Sequence, residues 1–260
     1  MRATILRDDL TALAGLAMPL AWLAAHDGWL LPRLVACVGL VLCWQVVFAL
    51  ARGQGLALHG LVSGLLIAIL VPPEAPFWQL VIGISFGMVL GEAIFGGRGR
   101  NFVQPVVLVL ACLALSFTDQ PWRDPPQMPL AAALPALVLL VLSGQARVTV
   151  LLGLAAGIAV AALAVDPGLL APSPVAGALL LALVYLSADP VTSGATDAGR
   201  VICGLLTGGL AVLFTTAGGP LGAVVFATLL AQVFVPLFDS MVVALHVRLM
   251  RRRAARLRNG

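Results

Sequence analysis

The chain has 260 residues, of which 61% are hydrophobic and only 10% charged, with a net charge of +4. A soluble domain carries roughly a quarter charged residues, and a nucleic-acid-binding domain needs a basic face on a folded surface, so the composition excludes both. It predicts an all-α, polytopic membrane protein, one integral domain over residues 1–260, whose chemistry lies in or at the bilayer.

The N-terminal residues Met1 to Leu10 do not read as a secretory signal, because Asp8 and Asp9 interrupt the basic region and no small-residue cleavage site follows. About ten apolar segments of spanning or near-spanning length follow, near 9–26, 31–51, 57–71, 77–95, 103–117, 129–143, 147–165, 172–186, 198–216 and 219–247. With the N-terminus inside, Arg52, Arg98, Arg100, Arg147, Arg200 and the basic tail 248–260 all fall on the cytoplasmic side, and only Arg33 and Arg123 fall outside. The pattern predicts both termini in the cytoplasm, with the chain set in a lipid bilayer.

Segments 57–71, 103–117 and 172–186 are short for a bilayer that needs roughly 20 helical residues. Two of them share their punctuation. Ser63 to Leu70 runs into Val71-Pro72-Pro73, and Ala178 to Leu186 runs into Ser187-Ala188-Asp189-Pro190. Each is followed by a longer apolar run and a double glycine, Gly96-Gly97 and Gly218-Gly219. Paired short segments mark an internal repeat with broken helices, here as halves 31–117 and 147–247, inverted because the first break falls outside and the second inside. The plainer alternative is that Pro and Gly end ordinary helices.

Ser187 to Arg200 is a polar, Pro- and Gly-broken stretch between apolar runs, which a membrane tolerates only where it lines a cavity or a surface. Thr192, Ser193, Thr196 and the N–H groups of Gly194 and Ala195 offer donors for a ligand phosphate at the N-terminus of the following helix. Asp189, preceding Pro190, reads as a turn or cap residue rather than a base. A re-entrant turn without a ligand is the alternative. Gly96 to Asn101 is a glycine-rich basic turn, suited to a phosphate, to lipid headgroups or simply to anchoring topology.

Glu92 is the acidic residue placed inside a span, a candidate for cation or proton passage or for an ion pair with Arg98 or Arg100. Cys37, Cys43, Cys112 and Cys203 have no C-x-x-C spacing and read as small buried hydrophobes, with no metal site. His26, His59 and His246 are too dispersed for bis-histidine haem ligation.

Three blocks carry a resemblance to a known family. Gly60-Leu61-Val62-Ser63-Gly64-Leu65-Leu66-Ile67-Ala68-Ile69-Leu70-Val71-Pro72-Pro73 resembles TGLLLALxLPP. Gly96-Gly97-Arg98-Gly99-Arg100-Asn101-Phe102-Val103-Gln104-Pro105 resembles GGxGxNxFNPA, and Ser187-Ala188-Asp189-Pro190-Val191-Thr192 with Thr196 and Gly199-Arg200 resembles ATDPVTxxxTxxGR. In this order they resemble the large membrane subunit of Rnf and Nqr redox complexes, RnfD and NqrB.

The resemblance implies a ten-helix, non-autonomous subunit of a flavin-dependent electron-transport complex, coupled to Na⁺ or H⁺ movement. It also implies partners: other membrane subunits and a flavoprotein subunit with an extracytoplasmic domain. The family attaches FMN to a threonine in an S-G-A-T motif on an extracytoplasmic loop, and the corresponding loop here, Thr118 to Pro126, has none. A literal Ser193-Gly194-Ala195-Thr196 lies in the third block, on the predicted cytoplasmic side.

The expectation is therefore a noncovalent flavin, FMN or riboflavin, held by Asn101, Gln104, Asp189, Thr192, Ser193, Gly194 and Thr196, with covalent FMN on Thr196 as second choice and no catalytic residue. Gln104 stands where the family has Asn, keeping the amide on a longer arm. The expected pocket lies between the two broken helices and fits an isoalloxazine ring. A urea- or ammonium-type channel and a scaffold subunit without cofactor are the rival readings.

Overall fold

In the computed structural model the described residues are 2–259, except 54–57, 74, 97–99, 102, 119–121, 123, 172 and 217, and without the side chains of 2–6, 169–170, 249 and 252–259. Gly97, Arg98, Gly99 and Phe102 of the second block, Arg123, and most of the arginine side chains of the tail thus lie outside the described residues.

Among the described residues there are ten α-helices: α1 (Arg2–His26), α2 (Leu30–Arg52), α3 (His59–Leu70), α4 (Phe77–Met88), α5 (Pro105–Ser116), α6 (Leu130–Leu142), α7 (Val148–Val165), α8 (Ala176–Ala182), α9 (Asp197–Thr215) and α10 (Pro220–Asn259). Short π-helical turns extend two of them, Val89–Ala93 after α4 and Leu183–Ser187 after α8. Four helices, Leu30–Arg52, Val148–Val165, Asp197–Thr215 and Pro220–Arg248, are long and apolar enough to cross a membrane, and five shorter apolar helices accompany them. The chain is a multi-pass membrane protein.

Local chemistry sets the helix ends that matter here. Gln104 caps α5 by accepting from the Val107 N–H at 3.0 Å, with Pro105 in the first turn, where its missing N–H costs nothing. Thr196 caps α9 by accepting from the Gly199 N–H at 3.0 Å, and Asp197 in the first turn complements the helix dipole. The Arg33 guanidinium closes the broken end of α3: Nε donates to the Ala68 carbonyl at 2.8 Å and Nη2 pairs with Asp27 at 2.6 Å. Without that donor the Ala68 carbonyl lies at a helix end buried in the protein.

Packing repeats along the chain. In the first half α1 meets α3, α2 meets α4, α4 meets α5 and α3 meets α5. In the second, α6 meets α8, α7 meets α9, α9 meets α10 and α8 meets α10, the same pairs displaced by five helices. Across the halves α1 packs on α6 and α5 on α10. The main departure is α2 against α3, which has no comparable contact between α7 and α8, and the lesser contact of α1 with α2 also lacks a comparable counterpart.

The tightest seam is α7 on α9. A side chain at Gly153 or Gly157 would strike the carbonyls of Val201 and Leu205, and one at Gly204 or Gly208 would strike those of Val150 and Leu154. Small residues spaced by four bring the two backbones together where lipid gives no hydrophobic drive.

Helix boundaries fall within a few residues of the predicted segments, except that α1 begins at Arg2 rather than near 9 and the last helix overruns. The last helix does not stop at 247 but continues to Asn259, because Arg and Ala are good helix formers and nothing in 248–259 breaks the pattern.

Candidate functional site

The second and third blocks, far apart in sequence, meet beside α10. The joint is Gln232, 1% exposed, a residue the motifs do not contain. Its Oε1 accepts from the Gln104 N–H at 2.9 Å, and its Nε2 donates to the Leu186 carbonyl at 2.8 Å and to Thr192 Oγ1 at 3.0 Å. One amide thus ties the entry to α5, the end of the π-helical turn after α8 and the loop that follows. Ser187 and Thr228 add a buried hydroxyl pair at 2.8 Å.

The loop itself is organised by Asp239. Its carboxylate accepts from the Ala195 N–H at 2.8 Å, the Thr196 N–H at 3.0 Å and the Thr196 hydroxyl at 2.6 Å. Gly194 has φ +104°, a conformation that favours glycine and turns the chain so that successive N–H groups converge. Arg200 braces the turn, its Nε donating to the Gly194 carbonyl at 3.0 Å and its Nη1 pairing with Asp197 at 2.7 Å.

Asp189 forms a turn, its carbonyl accepting from the Ser193 N–H at 3.1 Å and its carboxylate from the Thr192 hydroxyl at 3.4 Å. That matches the reading of Asp189 as a turn residue, while the cap of the next helix is Thr196.

A cavity of about 420 Å³ opens beside this loop. Val191 and Val235 give it apolar wall, and Asn101, Thr192, Arg200 and Asp239 bring polar groups to it. The amide Nδ2 of Asn101 donates to the Val103 carbonyl at 3.1 Å. Of the residues singled out in the sequence, Asn101, Thr192 and Gly194 line this cavity. Gln104 and Asp189 line a smaller one nearby. Ser193 is fully buried, and Thr196 is engaged as cap and donor. Glu92 lies elsewhere, 8% exposed in the π-helical turn after α4.

Two expectations change. The cavity that touches α3 and the π-helical turn after α8, lined also from α1 and α6, is about 30 Å³, too small for an aromatic ring, with Val62, Leu66, Val184 and Tyr185 in its wall. The larger cavity lies on the other side of the 187–200 loop, against α10. In addition, the Ala195 N–H and Thr196 hydroxyl, read as phosphate donors, are taken by Asp239. A planar ring with polar edges fits the larger cavity, whose volume is that of a ligand pocket. A phosphate on the 194–196 turn does not fit while Asp239 occupies it.

Interrupted helices that bring Asn101 and Gln104 beside the Asx-Pro loop define a polytopic membrane protein with a built polar site. The chain belongs to the NQR2, RnfD, RnfE family, whose model matches residues 4–128 and 127–247. It is similar to the B subunit of the Na(+)-translocating NADH-quinone reductase of Chromohalobacter salexigens, 26% identical over 268 aligned residues covering 82% of this chain and 65% of that protein. The protein of the same name from Haemophilus influenzae is 28% identical over 271 residues, covering 81% and 65%. That of Yersinia pestis is 42% identical over 77 residues, 30% of this chain and 19% of the relative. The chain spans about 65% of the length of the first two relatives.

Proposed function

We propose that the chain is the membrane subunit of an Nqr/Rnf-like electron-transport complex of the bacterial inner membrane, holding a noncovalent flavin and working with ion movement through the complex. The observation that carries this reading is the junction at Gln232, which brings the second and third blocks to one ligand-sized cavity. Asn101, Thr192 and Arg200 would hold the ring edge, and Val191 and Val235 would pack its faces. When bound, the flavin supplies one- and two-electron chemistry. The chain's own residues bind and orient it. Asp239 keeps the 194–196 turn filled, so the ring rather than a phosphate supplies most of the recognition.

The halves 31–117 and 147–247 form an inverted repeat. Support comes from the helix pairs that recur five helices later, since a displacement by an odd number of crossings reverses the second half in the membrane. Both termini, the Arg147 loop and the third block are cytoplasmic, as their arginines favour. Other membrane subunits and a flavoprotein subunit with an extracytoplasmic domain are its partners. Glu92 belongs to the ion pathway, as a buried carboxylate in a distorted helical turn at a membrane end. A small-solute channel is the weaker reading, because the cavity beside α3 and the π-helical turn after α8 is only about 30 Å³.

The test is the visible spectrum of the detergent-purified chain. A reducible flavin spectrum that denaturant releases entirely into solution is the expected result. Colourless protein that speeds solute flux into liposomes would support the channel and contradict the redox assignment.

A further inference from the structure

The last helix carries charge that neither the bundle nor the flavin cavity uses. α10 runs from Pro220 to Asn259 as one helix of 40 residues, about 60 Å long at roughly 1.5 Å per residue. Its apolar part, Pro220–Arg248, has 29 residues, or about 43 Å. A whole bilayer, headgroups included, is about 40–45 Å thick. Residues 249–259 therefore carry the same helix roughly 15 Å past the headgroups and into water.

The sequence of this extension has charge of one sign. Arg248, Arg251, Arg252, Arg253, Arg256 and Arg258 crowd it, and the last acidic residue of the chain is Asp239. Arg248 and Arg251 are exposed. Arginines three or four apart on a helix repel one another, as 248 with 251 and 252, and 256 with 252 and 253. The helix dipole favours cations in the last turn only, so it does nothing for Arg248 to Arg253. The balancing negative charge comes from outside the chain.

Lipid headgroups can supply it to Arg248 and Arg251, at the membrane end of the extension. Their field dies away within a Debye length, about 8 Å at physiological salt. Arg256 and Arg258 stand about 12 and 15 Å along the helix beyond Arg248 and outlie that reach. A basic helix that binds lipid lies in the plane of the interface with an apolar face buried, whereas this one continues a crossing helix without a break at the membrane edge.

We propose that the extension of α10 is a docking arm for a soluble or peripheral protein with an acidic surface. Carboxylates of that surface pair with the guanidinium groups, two N–H bonds to each carboxylate where the fork geometry allows. A second copy of this chain brings the same charge and is repelled. The proposal requires that α10 cross the membrane and is independent of whether flavin is bound.

The test is photo-crosslinking of the full chain in its native membrane, with p-benzoylphenylalanine in place of Leu257. The expected product joins the arm to a water-soluble or peripheral protein through peptides rich in Asp and Glu. Its yield should fall several-fold at about 1 M salt, where the screening length is about 3 Å. The same fall is expected when Arg253, Arg256 and Arg258 are all replaced by Gln, and recovery when all three are replaced by Lys. The amount of chain in the membrane is measured alongside, which separates lost docking from lost protein. Products confined to phospholipid, to nucleic acid or to this chain itself overturn the proposal. So does a protein crosslink of equal yield in the Gln variant, or the absence of any crosslink.

Discussion

Asp239 fills a place made for an anion. Its carboxylate takes two adjacent N–H groups and a hydroxyl, the donor set of a backbone nest. A flavin phosphate gains nothing from that turn in the native chain, so riboflavin and FMN should bind with similar affinity. Asp239→Ala vacates the turn, and charge-assisted hydrogen bonds of about 1.5–3 kcal/mol should then favour FMN by roughly tenfold or more, as read by calorimetric titration. An unchanged ratio would show that the phosphate never reaches the turn.

Thr196→Val removes a helix cap, worth about 1 kcal/mol, and should lower the melting temperature slightly while leaving flavin content intact. A fluorescent band on denaturing gels of the native chain, absent in Thr196→Val, would instead establish a covalent link. Gln232→Leu strands the Gln104 N–H and the Leu186 carbonyl, at about 1–3 kcal/mol for each buried group left unpaired. It should reduce both thermal stability and flavin retention.

The motif residues Asn101, Gln104, Asp189, Thr192 and Thr196 were legible because they stand in loops that interrupt apolar runs. Gln232 and Asp239 were not, since each is a single polar residue within a long apolar helix. Their only signal was that a polar atom in a span needs a partner, which names no partner.

Among the elements, the α7–α9 seam depends on glycine for a backbone reason. At Gly204 the obstacle to a side chain is the Val150 carbonyl, which cannot swing away as a side-chain tip can. Gly204→Leu should therefore cost more than the 1–3 kcal/mol typical of overpacking and abolish stable expression. Gly39→Leu on α2, where no atom lies within 4 Å, should be nearly neutral. Equal loss in both variants, measured by thermal unfolding in detergent, would show that close backbone approach does not hold α7 to α9.

Helix existence was readable from hydropathy alone, because each helix is built on an apolar run, long or short. The glycines of α7 and α9 carried no message until their partner was known, since small residues every fourth position fit a partner helix and lipid equally well. The π-helical turns at Val89–Ala93 and Leu183–Ser187 were also invisible, because one residue added to a helical turn leaves the apolar pattern unchanged.

For the whole molecule, the short segments and their shared Pro and Gly punctuation are the sequence's ground for proposing paired halves. Volume was what the sequence could not convey. The cavity touching α3 and the π-helical turn after α8 is only about 30 Å³, and a ligand-sized space of about 420 Å³ forms against α10. The side chains that close the first space come from helices distant in sequence, and an apolar pattern does not say how tightly two faces meet. The proposed topology puts a cysteine introduced at Arg147 on the cytoplasmic side and one introduced at Trp29 on the opposite side. Reagent that cannot cross the membrane should label Trp29→Cys and spare Arg147→Cys in intact cells, and the reverse pattern would invert the assignment.

The central claim is that the cavity between Asn101, the 187–200 loop and α10 holds an isoalloxazine ring, and photolabelling tests it most directly. The purified chain is loaded with an azido-flavin, illuminated, and its modified peptides are identified by mass spectrometry. Labels should fall on peptides containing Asn101, Val191–Arg200 or Val235–Asp239, and excess riboflavin should suppress them. Labels confined to other helices, or labelling that riboflavin does not reduce, would contradict it.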